Sequence, residues 1–263
     1  DNFCNLLKIN DLIMKNILIF LLCFAYQGIS QNKINKVTYN RVVNLEAIKE
    51  NLKDDFSESS LKKIVEGADK NKHLSYSLVF DANQSYFTLN DIKITLDSDN
   101  EQNELNKLIK RAKHQKYYVN LKENRTLYAM TMGGEKLLVV DSTKQLNWKL
   151  TKDYKKIGDY TCFKAQLLNG SEVLAYKDGM AIEAWYTPQI PVPFGPLQFE
   201  GLPGLILEVN VGNNTYFASE IKFDVDHKIE QPTEGKEVQR KTFFSEIKAN
   251  VEARIKRAKQ SRQ

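Results

Sequence analysis

Five of the chain's six prolines, Pro188, Pro191, Pro193, Pro196 and Pro203, fall within seventeen residues, interleaved with Gly195, Gly201 and Gly204. Proline fixes φ and removes a backbone donor, while glycine opens the left-handed region, so the backbone here is specified almost residue by residue. Neither a helix nor a central strand can run through such a segment. On its two sides, Trp185-Tyr186 and Leu205-Ile206-Leu207 read as strand ends, so residues 187–204 form a crossing between two strands. Eighteen residues is long for a connection in a compact domain. Pro191, Pro193 and Pro196 keep it extended and stiff. The crossing carries no acid or base beyond Glu200, so its design is one of shape.

The flanking sequence supplies strands for it to join. Runs of β-branched and aromatic residues separated by Gly, Asn or Asp predict strands over 36–45, 73–81, 84–90, 116–121, 126–132 and 136–141. The second half continues with 146–150, 159–168, 173–177, 180–186, 205–211 and 215–223. Glu123-Asn124, Gly133-Gly134, Asn169-Gly170 and Lys177-Asp178-Gly179 supply turn chemistry between them. The charged stretch 49–72 predicts a solvated loop or a short helix over 60–67. Leu105, Leu108, Ile109 and Ala112 share one face of a surface helix over 101–113. From Thr242, a plausible N-cap, to Lys259, the stripe Phe244, Ile247, Val251, Ile255 and Ala258 predicts a closing amphipathic helix. The expected fold is mainly β. It is a curved antiparallel sheet or half-barrel with one or two surface helices and that C-terminal helix.

Residues 14–30, reading MKNILIFLLCFAYQGIS, have the order of a secretory leader: one Lys, an apolar run, then small residues around a cut. The run Ile17–Ala25 is too short to span a bilayer. The expectation is therefore upstream sequence plus leader over 1–30, one domain over 31–263, no transmembrane anchor, and an exported protein of the periplasm or outer membrane. Cys4 and Cys23 leave with the leader, so the mature chain keeps Cys162 alone and forms no internal disulfide. The leader's acidic and basic residues cancel, so the net charge of +5 stands with or without it.

The crossing and its approach also carry a resemblance. Cys162-Phe-Lys164-Ala165, Ala184-Trp-Tyr-Thr187, Ile190-Pro191, Gly195-Pro196 and Gly201-Leu-Pro-Gly-Leu-Ile206 follow in the order and spacing of the GLPGLI family. That family groups exported proteins of uncharacterised function in Gram-negative bacteria. The resemblance covers about 160–209; it departs at Ser171, where the family often has Arg. It implies export and no established activity. More loosely, the pattern resembles open half-barrels of the periplasmic lipoprotein-carrier type, an analogy of fold alone.

Three readings of the crossing remain open at this level. It is a structural cap on one end of the sheet, the wall or lid of an apolar pocket, or a rigid docking surface. On the second and third, Trp185, Tyr186, Phe194 and Phe199 line or close the site. Pro191, Pro196, Gly201, Pro203 and Gly204 then shape it. The function expected is a non-catalytic binding module for an apolar or peptide-like ligand; the alternative is a docking or assembly subunit for an envelope partner. No cofactor is called for. Cys162 reads as a small buried hydrophobe rather than a nucleophile, since His73, His114 and His227 stand at no spacing that supports a Cys/His pair. The same scattering supports no metal site. The basic outer face of the C-terminal helix reads as solvated, and export argues against a nucleic-acid partner.

Overall fold

The computed structural model describes residues 33–53, 57–69, 74–90, 103, 106–107, 109–110, 112–143, 146–170, 180–245 and 247. The chain divides into two compact units, Asp1–Lys33 and Ile34–Gln263, and the first lies, but for Lys33, outside the described residues. The expected leader is therefore outside them too, as are the expected strand over 173–177, its turn, and the distal part of the C-terminal helix.

The second unit is one twelve-stranded sheet. In chain order its strands are β1 (Asn35–Val43), β2 (Ser75–Phe80), β3 (Gln84–Leu89), β4 (Lys116–Asn120), β5 (Arg125–Met132) and β6 (Glu135–Asp141). Then come β7 (Trp148–Ile157), β8 (Tyr160–Leu167), β9 (Ile182–Thr187), β10 (Leu205–Val211), β11 (Asn214–Lys222) and β12 (Lys236–Gln239). Their spatial order is β12-β6-β5-β4-β3-β2-β1-β11-β10-β9-β8-β7. Two meanders, β2 to β6 and β7 to β11, thus meet on the central strand β1. All pairings are antiparallel except that of β12, which adds to β6 in parallel.

Two helices follow β1. In α1 (Leu45–Leu52), the side chain of Asn44 caps the first turn by accepting from Ala47 N–H at 2.9 Å. The longer α2 (Glu58–Asp69) contains the expected 60–67 helix and has no buried residue. The described residues of the 103–113 stretch are helical, with Ala112 buried and Ile109 packed on the core.

The sheet has to curve. β6 and β7 stand ten strand positions apart, which in a flat sheet is about 48 Å. Residues 142–147 connect them, and such a connection reaches only about 25 Å. The sheet is accordingly open and curved, with the two meanders rolled towards each other.

Alternation along the strands then separates an inner from an outer face. Tyr39, Leu78, Phe80, Phe87, Val209 and Ile206 project inward and belong to one buried cluster. Outward, Tyr86, Tyr118, Leu127, Ala129 and Leu138 form a second, smaller cluster, with Ile229 packed on it. A third joins Leu137 and Val139 to Phe243, where the chain turns helical at 240. The buried apolar member of that turn is Phe243, one residue before the expected stripe, with Phe244 and Ile247 packed beside it.

One polar contact crosses the interior. The register of β10 slips against β9 between Ile206 and Glu208, and the Ile206 carbonyl accepts from the Tyr39 hydroxyl at 2.5 Å. Tyr39 is fully buried, and desolvation pushes its phenol far above the usual range, so it serves as a neutral donor. Replacing Tyr39 by Phe should leave that carbonyl buried without this donor and cost about 1–3 kcal/mol. Urea unfolding of Tyr39→Phe measures it, and an unchanged midpoint would show that the contact is idle.

Candidate functional site

The crossing 187–204 is tied into the sheet through its backbone. Leu205 N–H donates to Ile190 O and Ile206 N–H to Phe194 O, both at 2.9 Å, so the crossing supplies acceptors for the first residues of β10. Gly201 N–H donates to Pro193 O at 2.9 Å, and Phe194 pairs with Glu200 as an isolated antiparallel bridge. The segment is thus a miniature hairpin laid against the start of β10. Its side chains go inward. Ile190, Phe194, Phe199 and Leu202 are all buried in the main core. The Phe194 ring lies 6.3 Å from Phe80, and Phe199 lies edge-on to Trp148 at 6.2 Å.

The glycines and prolines now have separate reasons. Gly201 sits at φ +89°, a region that L side chains rarely adopt. A Cβ on Gly204 would lie 2.2 Å from the Thr187 carbonyl oxygen, and one on Gly195 would lie 2.7 Å from the Ile206 side chain. Pro196 is buried, whereas Pro188, Pro191 and Pro203 are exposed and stiffen the outer rim.

Three further groups hold the crossing from the sides. Trp148 Nε1–H donates to Glu200 O at 2.9 Å, tying it to the start of β7. Gln189 accepts from Thr161 N–H at 2.8 Å, tying it to β8. Arg240 ties it to the far meander: Nη2 donates to Gln198 at 3.1 Å, and Nε lies 3.5 Å from the Asp141 carboxylate at the end of β6. The Arg240 guanidinium also lies 4.6 Å from the centre of the Phe244 ring. No local signal identifies Arg240, because its partners come from 42 and 99 residues away.

Residues 148–208 match a family model described as Porph_ging, a protein of unknown function. The match runs from β7 through the crossing into β10, and it contains all the motif residues from Cys162 to Ile206. No curated protein matches the chain. A solved structure of PNGF-II in space group P21 is similar at a TM-score of 0.51 and 15% identity, covering 80% of this chain and 32% of that one. A second, in C2, gives a TM-score of 0.46 and 14% identity over 79% of this chain and 31% of that one. The chain therefore spans about a third of PNGF-II, and the P21 likeness is one of fold.

Within the matched region, the structure separates the aromatic residues that the sequence grouped. Tyr186, Phe194 and Phe199 face the core. Trp185, adjacent to Tyr186 on β9, takes the opposite face. There the Lys155 ammonium lies 4.4 Å from its ring centre and 2.7 Å from Glu208. On its other side Lys164 bridges to Glu183 at 2.7 Å, and Gln166 donates to the same carboxylate at 3.1 Å. The Lys164 contact, with help from Gln166, holds the Glu183 carboxyl below the usual range. This ladder encloses a half-buried Trp185 with cations.

Cys162 is buried, and burial pushes its thiol up to about 11. Its hydrogen bond runs to the Tyr160 carbonyl at 3.8 Å. That is the setting of a packed thiol, in contrast to the electropositive setting of a nucleophile. Among the described residues, no group of three His, Cys, Asp or Glu is placed to hold a metal.

The clamp at Gly204 yields a paired prediction. Gly204→Ala should cost more than about 3 kcal/mol or abolish folding, since backbone must move to admit the methyl. Gly67→Ala, in α2 with nothing within 4 Å of the added Cβ, should instead stabilise by about 0.5–1 kcal/mol. Thermal unfolding of the two variants decides it; a tolerated Gly204→Ala contradicts the clamp.

Proposed function

We propose that the protein is an exported, non-catalytic binding module that engages an extended, peptide-like segment of a partner protein along the open β7 edge. The observation carrying this reading is the character of that edge. β7 ends the sheet on the side of the second meander, and Leu150 and Tyr154 on it are 52% and 73% exposed. An edge strand offers unpaired backbone groups to another chain, and side-chain contacts then select the sequence that adds. The exposed Lys149, Lys152 and Lys156 frame the two apolar side chains. A second copy of β7 would be repelled by them, whereas a segment with acidic residues beside apolar ones complements them.

The bulge in β7 is consistent with this selectivity. Register against β8 slips between Leu150 and Tyr154, and Asp153 N–H is satisfied by the Thr151 hydroxyl at 3.2 Å. Such interruptions discourage indiscriminate edge pairing. They leave two short stretches, 148–150 and 154–157, as the ladder for a partner. The packing of Phe194 and Phe199 into the core favours this exposed edge over the space beneath the crossing. Export is supported by the leader pattern at 14–30, and no helix among the described residues is long and apolar enough to cross a membrane.

Selection of displayed random peptides against the whole chain tests the proposal. The recovered peptides should alternate acidic with apolar residues. Their affinity should fall at least about tenfold in Leu150→Asp/Tyr154→Asp, while the far-side variant Lys222→Gln leaves it unchanged. Peptides lacking acidic residues, or insensitive to the double substitution, would contradict it.

A further inference from the structure

On the outer face of the first meander, a strap of chain from Phe223 to Gly235 crosses β3 to β6 without regular secondary structure. Ile229 packs on Tyr86, Tyr118, Leu127, Ala129 and Leu138, and Pro232 is buried. At its end Gly235 adopts φ +121° against β6, where a Cβ would lie 2.9 Å from the Leu137 carbonyl carbon. This close approach fixes the last residues of the strap.

Two open cavities of about 200 and 480 Å³ meet at His114 beside the strap. The smaller is lined by Lys116, Lys136 and Glu234 among others. The larger runs between Lys110 of the helical 103–113 stretch and the β5–β6 turn, with Thr131, Gly133 and Gly134 on its wall. Together they make one cleft to which three separate elements bring cations. The strap answers with two carboxylates: Glu230 lines the smaller cavity, and Glu234 bonds Lys136 at 2.6 Å. Lys136 chiefly, and Lys116 and His114 more weakly, hold its carboxyl below the usual range. Glu234 thus occupies the anion position at one end of the cleft, and among the described residues no carboxylate lines the Lys110 end.

We infer that this cleft is a binding site for a phosphate-rich anion, in which Glu234 holds one subsite until the ligand displaces it. The chemistry is that of a compact oxyanion bearing two or more charges. Lys116 and Lys136 meet one end, Lys110 the other, and the Thr131 hydroxyl and the glycine-turn backbone offer neutral donors between them. A free polyphosphate and a phospholipid headgroup share this chemistry. The inference is independent of the β7 proposal, because the two surfaces lie on different meanders and share no residue.

The test is a titration of the whole chain with pyrophosphate at constant ionic strength, followed by amide NMR shifts. A parallel arm measures co-sedimentation with vesicles of anionic phospholipid. The expected result is saturable shifts centred on Gln115, Thr131, Gly133 and Gly134. Affinity should fall about tenfold in Lys110→Gln/Lys116→Gln and rise several-fold in Glu234→Gln. Lys222→Gln, outside the cleft, should not change it. Binding to vesicles alone, with the same dependence on Lys110 and Glu234, assigns the site to a headgroup. Shifts that do not saturate, or an affinity that falls in Glu234→Gln, would overturn the inference.

Discussion

The six residues between β6 and β7 impose the constraint on which the rest of the molecule depends. They are too few to join strands ten positions apart in a flat sheet, so the sheet must roll. Rolling creates an interior that alternating inward side chains only partly fill. The crossing 187–204 supplies the rest, placing Phe194, Phe199 and Leu202 in the core. It also offers its carbonyls to the first amides of β10. Arg240 then links this plug to Asp141 at the end of β6, so the two meanders are tied through the crossing as well as through β1.

The motif residues follow from this geometry. Gly204 permits backbone contact with Thr187, Gly195 makes room for Ile206, and Gly201 takes a left-handed turn between two buried residues. Each requirement is steric, and each is met by a residue without a reactive group. The segment that best labels the chain is therefore the one most occupied with holding the fold. The two surfaces proposed for binding lie outside the crossing: the β7 edge, with its exposed Tyr154, and the cationic cleft beside the strap.

Much of the sheet was legible because alternation of buried and exposed residues survives in strands that face a core on one side, as in β1, β9 and β10. The full length of β7 was not, since the bulge at 151–153 breaks the alternation and the strand reaches Ile157 rather than Leu150. Nor was β12, four mostly polar residues that become a strand only because β6 offers an edge. Trp185 and Tyr186 were grouped by sequence proximity, although the period of two places neighbours on opposite faces; that signal was present and decides their separation. The position of β1 between the meanders and the role of Arg240 are tertiary facts with no local signature. The cleft was hidden for the same reason, since its cations come from a helix and two strands.

The central claim is that the crossing is part of the core and not a mobile cover. Native-state hydrogen exchange of the Gly201, Leu205 and Ile206 amides tests it most directly. These three donate to Pro193, Ile190 and Phe194 respectively. They should exchange as slowly as the central amides of β1 and β10, through global unfolding. Exchange of Gly201, Leu205 and Ile206 on the timescale of an exposed loop, while β1 stays protected, would contradict the account.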